Sequence, residues 1–347
     1  MVIVMAPQAG DADLAEVVHR VEAAGGSAFV SRGVTRTIVG VVGDEAVLEA
    51  VDVTHVPGVA EVVRITSPYK LVSREHDPRT STVSVAGVPI GPDTFTLIAG
   101  PCAVESPEQT LAAAQLARRA GATLLRGGAY KPRTSPYAFQ GLGVAGLRIL
   151  AEVRSKTGLP VVTEVIDAAD VDEVCRYADM LQVGARNMQN FSLLQAVGGA
   201  GKPVLLKRGL CATYEEWLMA AEYIAQRGNL DIVLCERGIR TAETATRNTL
   251  DVSAVPMVHA LSHLPVIIDP SHAAGRRDLV VPLARAGMAV GADGLIVDVH
   301  PDPERALCDG AQALHGALLD ELTVAAATIP PLLGRRGAVT AEPMPTR

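Results

Sequence analysis

Eight short runs rich in Val, Ile, Leu and Ala recur from Phe95 onward: FTLIAGPC, ATLLRGG, LPVVTEV, DMLQVGAR, KPVLLKRG, DIVLCERG, LPVIIDPSH and DGLIVDVH. Each is apolar on consecutive positions, not alternate ones. A strand apolar on both faces is buried on both, the condition of a parallel sheet covered by helices. Helical patterns such as SPEQTLAAAQLARRAG and TYEEWLMAAEYIAQRG separate the runs. Ser106 with Gln109, and Thr213 with Glu216, have capping-box spacing and predict where these helices start. Eight strand–helix units over about 240 residues fit a (β/α)8 barrel spanning 95–334. A doubly wound open sheet is the fallback.

The rhythm before Phe95 is different. Residues 1–66 read strand (VIVM), helix (DADLAEVVHRVEAAGG), two strands joined by a tight turn (SAFVSRG, TRTIVGVVG), helix (DEAVLEAV) and strand (VAEVVRI). That β-α-β-β-α-β order predicts a ferredoxin-like domain, one sheet covered on one face by two helices. Residues 67–94 are expected to be a polar linker and a short hairpin, TVSVAGVPIG, turning at Ala86-Gly87. The tail at 335–347 is expected to be disordered.

Composition narrows the class. In 347 residues, 48% hydrophobic and 20% charged, there is ample material for a folded core, and 3% aromatic content leaves its filling to aliphatics. A formal charge of −7 weighs against a nucleic-acid partner. No apolar run is long enough to span a membrane, and MVIVMAPQAG lacks the basic start of a signal peptide. Five scattered cysteines, an odd number, suit reduced thiols in a cytoplasm.

Against that acidic background, RGGAYKPRTSPYAFQGLG gathers cations on a glycine-broken loop. In a barrel, reactive groups sit where strands pass into the following loops. The eight predicted ends carry Cys102, Arg126, Glu164, Arg186, Lys207, Arg237, His272 and Asp298. Six cations, Arg126, Lys131, Arg133, Arg186, Lys207 and Arg237, then share one rim, and they repel one another unless anions fill it. Glu164, Glu236 and Asp269 are too few to neutralise them, whereas two phosphates and a carboxylate come close. Arg forks match phosphate and carboxylate oxygens; Lys supplies a mobile charge. Cys102, His272, Asp298 and Asp309 are the residue types that ligate Mn²⁺, Fe²⁺, Co²⁺ or Zn²⁺, although no local spacing pairs them.

The segments GPCAVES, RGGAYKPRTSPYAFQGLG, QVGARNMQNF, PVLLKRG, LCERGIRT, RNTLDVSAVP, DPSHAAGRRDL and VDVHPDPERALCDG resemble the type Iβ group of 3-deoxy-D-arabino-heptulosonate 7-phosphate (DAHP) synthases. The similarity covers nearly the whole chain, and residues 1–66 resemble that group's ferredoxin-like regulatory domain. Such enzymes condense phosphoenolpyruvate with erythrose 4-phosphate, the first step of the shikimate pathway. The resemblance implies that Arg126, Lys131 and Lys207 hold the phosphoenolpyruvate carboxylate, while Arg186, Arg237 and the backbone at Ala185 hold its phosphate. Lys131, Pro132, Arg133 and Thr134, aided by Arg276, would bind erythrose 4-phosphate. Catalytic roles fall to Lys131, Cys102, His272 and, for orienting water, Glu164. One divalent metal ion would sit on Cys102, His272, Asp298 and Asp309. The family's third ligand is usually Glu. Asp298 shortens that reach by about 1.3 Å, against a tolerance of about ±0.2 Å in metal–ligand distance. A Tyr or Phe effector at the N-terminal domain and a homotetrameric assembly complete the expectation.

Three rivals remain at this stage. A 3-deoxy-D-manno-octulosonate 8-phosphate synthase shares the chemistry but reads KANRSS where this chain reads KPRTSP. A Schiff-base aldolase would use Lys207. A catalytically dead regulatory homologue is the third.

Overall fold

The computed structural model describes residues 1–33, 37–63, 68–133 and 135–336. The turn expected between the second and third strands, the end of VAEVVRI, Thr134 and the last eleven residues of the tail lie outside these. The chain divides into two compact units after Pro78.

In the first unit, β1 (Val2–Met5), α1 (Asp11–Ala23), β2 (Ser27–Arg32), β3 (Thr37–Val42), α2 (Glu45–Ala50) and β4 (Val59–Val63) follow the expected order. The sheet runs β2-β3-β1-β4, antiparallel throughout, as in a ferredoxin-like fold. Ile3, Met5, Val17, Val21, Val39 and Val41 fill its core. Asp44 caps α2, its carboxylate accepting from the Val47 amide.

The second unit opens with a hairpin, β5 (Val83–Val85) and β6 (Val88–Ile90), so the stretch expected as linker and hairpin is divided between the two units. Ala86 and Gly87 have φ of +47° and +88°, the left-handed pair of a tight two-residue turn. Val83, Val85 and Ile90 pack on Ile98, Leu124, Val162 and Met180 from the N-terminal halves of barrel strands, so the hairpin plugs that end.

Eight parallel strands then close on themselves: β7 (Thr96–Gly100), β8 (Leu124–Arg126), β9 (Val161–Glu164), β10 (Met180–Val183), β11 (Val204–Lys207), β12 (Ile232–Glu236), β13 (Val266–Ile268) and β14 (Gly294–Asp298). Pairing of β14 with β7, Asp298 opposite Gly100, completes the ring and excludes the open-sheet fallback. Nearly every strand residue is buried, which is why the sequence shows runs where a one-sided sheet would alternate. The helices are α3 (Pro107–Arg119), α4 (Val144–Thr157), α5 (Val171–Cys175), α6 (Phe191–Gly198), α7 (Tyr214–Ala225), α8 (Ala254–Leu261), α9 (Pro270–Ala274), α10 (Arg277–Ala289) and α11 (Gly316–Leu332). Thr213 and Glu216 form the full capping box of α7. Ser106 caps α3, but Gln109 turns its side chain to the Glu105 amide instead.

The expectation of disorder from residue 335 needs correcting for two residues. Arg335 donates to buried Asp293 at 2.6 Å, and the Arg336 amide bonds the Asp93 carbonyl. Asp293 also accepts from the Val266 amide at 2.6 Å and lies 2.8 Å from His259 Nε2. Burial would raise its pKa, but His259 and then Arg335 outweigh that and hold it below the usual carboxylate range. A depressed folded pKa adds stability that is present above the unfolded value, about 3.9, and is lost as pH falls through the folded one. Asp293→Asn is therefore expected to lower stability by about 2–3 kcal/mol at pH 7. In urea melts the gap to wild type should shrink steadily below about pH 4. A gap independent of pH would show that the carboxylate charge is not the cause.

Candidate active site

Four predicted residues, Arg126, Glu164, Lys207 and Asp298, are the last residues of their strands. Arg237 follows β12 directly, Cys102 lies two residues past β7 and Arg186 three past β10. His272 sits on the short helix α9, whose cap places it: the Asp269 carboxylate accepts from the His272 amide at 2.9 Å and lies 2.8 Å from its Nδ1. Lys207 donates to the same carboxylate, and Arg237 and Asn248 both donate to the His272 carbonyl.

These strand ends border a cavity of about 470 Å³. Its walls include Arg126, Lys131, Arg133, Arg186, Lys207 and Arg237, the six cations expected, with Pro132, Ala185 and Glu164. Arg240 and Arg247, which the sequence reading missed, line it too. Among the described residues no carboxylate forms a salt bridge with Arg186, Arg237 or Arg240. Of the acids expected to compete, Glu236 and Glu164 are engaged elsewhere, whereas Asp269 holds one of the six cations, Lys207. Glu236 pairs with Arg208 at 2.9 Å, below the cation–π contact of that guanidinium with Tyr214, and Asp269 pairs with Lys207. Glu164 accepts from Gln182 at 3.2 Å. A Cβ on Gly184 would come within 2.1 Å of Glu164 Oε1, so any larger residue would push this carboxylate from its present position.

Arg276 is not part of this wall. It begins α10, exposed, and pairs with Asp278 at 2.8 Å. Gly275, with φ +67°, turns the chain away immediately after α9. The resemblance had implied otherwise.

The basic loop reaches inward because its glycines allow it. A Cβ on Gly128 would sit 2.7 Å from the Cys102 carbonyl and 2.9 Å from Lys131 Cδ. Lys131 Nζ thereby donates to the Cys102 carbonyl at 2.9 Å and to its sulfur at 3.1 Å. Burial opposes the charge of Lys131, but the Cys102 and Cys308 sulfurs outweigh it and raise its pKa.

The donor cluster lies against that ammonium. Cys102 Sγ is 3.1 Å from Asp309 Oδ2 and 3.8 Å from His272 Nε2, and His272 Nε2 is 3.9 Å from Asp309 Oδ2. Cys102, His272 and Asp298 can each present a ligand atom within 4.8 Å of the others, and so can Cys102, Cys308 and Asp309. Asp309 adopts φ +54°, a strained conformation for a residue with a side chain. Its carboxyl is held below the usual range: burial opposes ionisation, but His272 and the Cys102 thiol outweigh it. His272 is raised; its burial is outweighed by Asp269 and then Asp298.

Cys308 was not anticipated. Its sulfur is 3.7 Å from Cys102 Sγ, and Arg133, expected to face a phosphate, donates to it. The shared hydrogen bond pushes the Cys102 thiol well above its ordinary pKa and the Cys308 thiol below it. One proton between two sulfurs is the cause. Asp298, expected to stand beside Cys102, His272 and Asp309 as an equal donor, pairs with Arg126 through Oδ1 and accepts from Gln312 through Oδ2 at 2.5 Å. It faces Nδ1 of His272, at 3.7 Å, not the Nε2 that Cys102 and Asp309 face.

A closed parallel barrel with unpaired cations and a thiol–imidazole–carboxylate cluster at the C-terminal ends of its strands is an enzyme scaffold built for small anionic substrates. The chain belongs to the DAHP synthetase I family, whose profile matches residues 71–328; residues 1–67 match the DAHP synthase ferredoxin-like domain. It is 52% identical over 322 residues to a phospho-2-dehydro-3-deoxyheptonate aldolase of Thermotoga maritima, covering 93% of this chain and 95% of that protein. A crystal structure of the Thermotoga maritima enzyme superposes with a TM-score of 0.77 at 49% identity, over 96% of this chain and 98% of that one. A 2-dehydro-3-deoxyphosphooctonate aldolase of Syntrophotalea carbinolica is more distant, 37% identical over 67% of this chain and 90% of its own length.

Proposed function

We propose that the chain condenses phosphoenolpyruvate with erythrose 4-phosphate, giving DAHP and inorganic phosphate, the opening step of the shikimate route to aromatic amino acids. The observation that carries this is Lys131, whose ammonium touches the Cys102 carbonyl and sulfur and so joins the cation wall to the donor cluster. Family membership supports it.

Arg186, Arg237 and the Ala185 backbone hold the phosphate of phosphoenolpyruvate, and Arg126, Lys131 and Lys207 its carboxylate. Lys131, Pro132, Arg133 and Thr134 hold erythrose 4-phosphate, with Arg240 and Arg247 better placed to assist than Arg276. A divalent ion, Mn²⁺, Fe²⁺, Co²⁺ or Zn²⁺, fits the thiol, imidazole and carboxylate donors and when bound supplies Lewis acidity at the aldehyde oxygen. The protein's own share is electrostatic and entropic: the cation wall holds two mutually repelling anions with the enol carbon facing the aldehyde carbon. Lys131 is placed to give a proton to the aldehyde oxygen as the carbon–carbon bond forms. Glu164, steadied by Gln182, orients the water that adds to the oxocarbenium-like carbon, and the departing phosphate stays on Arg186 and Arg237.

Erythrose 4-phosphate should be turned over at least about ten-fold better than arabinose 5-phosphate, because Pro132 stiffens the loop and fixes the distance from Lys131 to Arg133. Phosphate release measured with each aldehyde decides this. Equal rates would transfer the chain to the five-carbon reaction of its more distant relatives.

Among its described residues the ferredoxin-like domain contains no metal-ligating cluster, and it is read as a site for an aromatic amino acid, Tyr or Phe. Removing residues 1–66 should preserve turnover and abolish inhibition. A full-length enzyme indifferent to every aromatic amino acid would refute the regulatory reading. Among the described residues no helix is long and apolar enough to cross a membrane. A homotetramer acting in the cytoplasm, on small molecules and neither nucleic acid nor lipid, fits this role.

A further inference from the structure

The donor geometry around Cys102 departs from the ligand set that the sequence suggests. We infer that Cys308 is a direct metal ligand, giving a two-sulfur centre of Cys102, Cys308, His272 and Asp309, and that Asp298 stays off the metal as the counter-ion of Arg126. The inference rests on the metal-dependent reading above and makes it specific.

Distances carry it. Tetrahedral sites with Zn–S bonds of about 2.3 Å place two sulfurs about 3.8 Å apart, since a tetrahedron's edge is about 1.63 times its centre-to-vertex length. Cys102 Sγ and Cys308 Sγ are 3.7 Å apart. Asp309 Oδ2 lies 3.1 Å from the first sulfur and 3.4 Å from the second. His272 Nε2 is 3.8 Å from Cys102 Sγ and 3.9 Å from Asp309 Oδ2. These five separations are close to the edges of one small polyhedron.

Asp298 lies within reach of Cys102 and His272, but it faces the other nitrogen of the ring. Both its oxygens already accept, one from Arg126 and one from Gln312. To ligate beside Nε2 it would have to leave a fully buried guanidinium without its partner. Cys308 supplies the missing donor from the other side. The strained φ of Asp309 turns the loop so that two adjacent residues, 308 and 309, face one centre.

On binding, the cation replaces the thiol protons, which pass to solvent, so two thiolates, one carboxylate and one neutral imidazole would hold a dication that keeps a fifth position for the aldehyde oxygen. Two sulfurs favour Zn²⁺, Fe²⁺ or Co²⁺ over Mn²⁺.

Co²⁺ alone, titrated into chelator-stripped full-length protein, reads the number of thiolates directly through the near-ultraviolet sulfur-to-cobalt charge-transfer band. The wild type should show a band about twice as intense as either Cys308→Ser or Cys102→Ser, and the double variant none. Cys308→Ala should match Cys308→Ser, and thermal melts of the apo-proteins check that each variant is folded. A wild-type band that Cys308→Ser leaves unchanged overturns the inference while leaving a one-thiolate metal site intact. A wild type with no band at all overturns the metal reading itself, and this inference with it.

Discussion

Replacing Cys102 by serine should abolish turnover, by far more than the roughly 10- to 100-fold that loss of an outer-shell partner of a metal ligand costs. Cys102 lies two residues past β7 and is 3% exposed, so its sulfur meets its neighbours directly and not through solvent. Lys131 Nζ, Asp309, Cys308 and His272 all approach within 3.8 Å of it. Its sulfur thus touches both the cation wall and every other donor proposed for the metal. A serine hydroxyl is nearly the same size, so the fold should survive, but it stays protonated at neutral pH and is a poor partner for a soft dication. Phosphate release, metal affinity and a thermal melt measured together test this: activity is lost and metal is held less tightly, though still bound at high concentration, while the melting temperature barely moves. Undiminished activity in the serine variant would mean that the cluster is not at the reacting centre and would revive Lys207 as the reactive group.

Asp298→Ala should be the most damaging single change to the barrel's stability. Arg126 and Asp298 are both buried, 4% and 0% exposed at their side chains, on strands either side of β7. Removing the acid leaves a buried guanidinium uncompensated, at a cost of about 3–5 kcal/mol, and leaves the Gln312 amide without its acceptor. That corresponds to a fall in melting temperature of about 5–10 °C. Replacing both residues, as Arg126→Met with Asp298→Leu, should restore much of the stability because no charge is then stranded. The double variant should still be inactive, since Arg126 also lines the cavity. If Asp298→Ala melts like the wild type, the pair is not what holds these two strand ends together. Asp298→Glu separates this role from direct ligation: an added methylene crowds the buried pair and lowers stability, whereas a short-reaching ligand would gain metal affinity from it.

The barrel was legible because burial on both faces of each strand imposes continuous apolar runs, and three residues that end those runs, Arg126, Glu164 and Lys207, line the cavity. Arg126, Glu164, Lys207 and Asp298 could be placed on the mouth by counting alone. The N-terminal unit was legible from its element order. Long-range convergence was harder. Cys308 and Asp309 adjoin in sequence, yet only the positive φ of Asp309 turns both toward Cys102, two hundred residues earlier, and no spacing rule reports that. Arg240 and Arg247 come from the loop after β12 and face inward through that loop's path, although Arg247 begins the quoted segment RNTLDVSAVP. Arg276 was misplaced for the converse reason: four residues from His272, it follows a glycine turn that sends it outward. Asp298 was read as a ligand from its position, and only its two hydrogen-bond partners reveal the competing claim on its carboxylate.

The central claim is that the cation wall and the donor cluster form one site that joins two phosphorylated substrates. Its most direct test follows loss of the phosphoenolpyruvate enol absorbance in chelator-stripped full-length protein, with and without erythrose 4-phosphate, before and after Mn²⁺, Co²⁺ or Zn²⁺ is returned. No loss is expected without metal or without the aldehyde. With both present, phosphoenolpyruvate should disappear in equal amount to the phosphate and seven-carbon sugar acid formed. Consumption that proceeds without the aldehyde, or that continues unchanged in excess chelator, would contradict it.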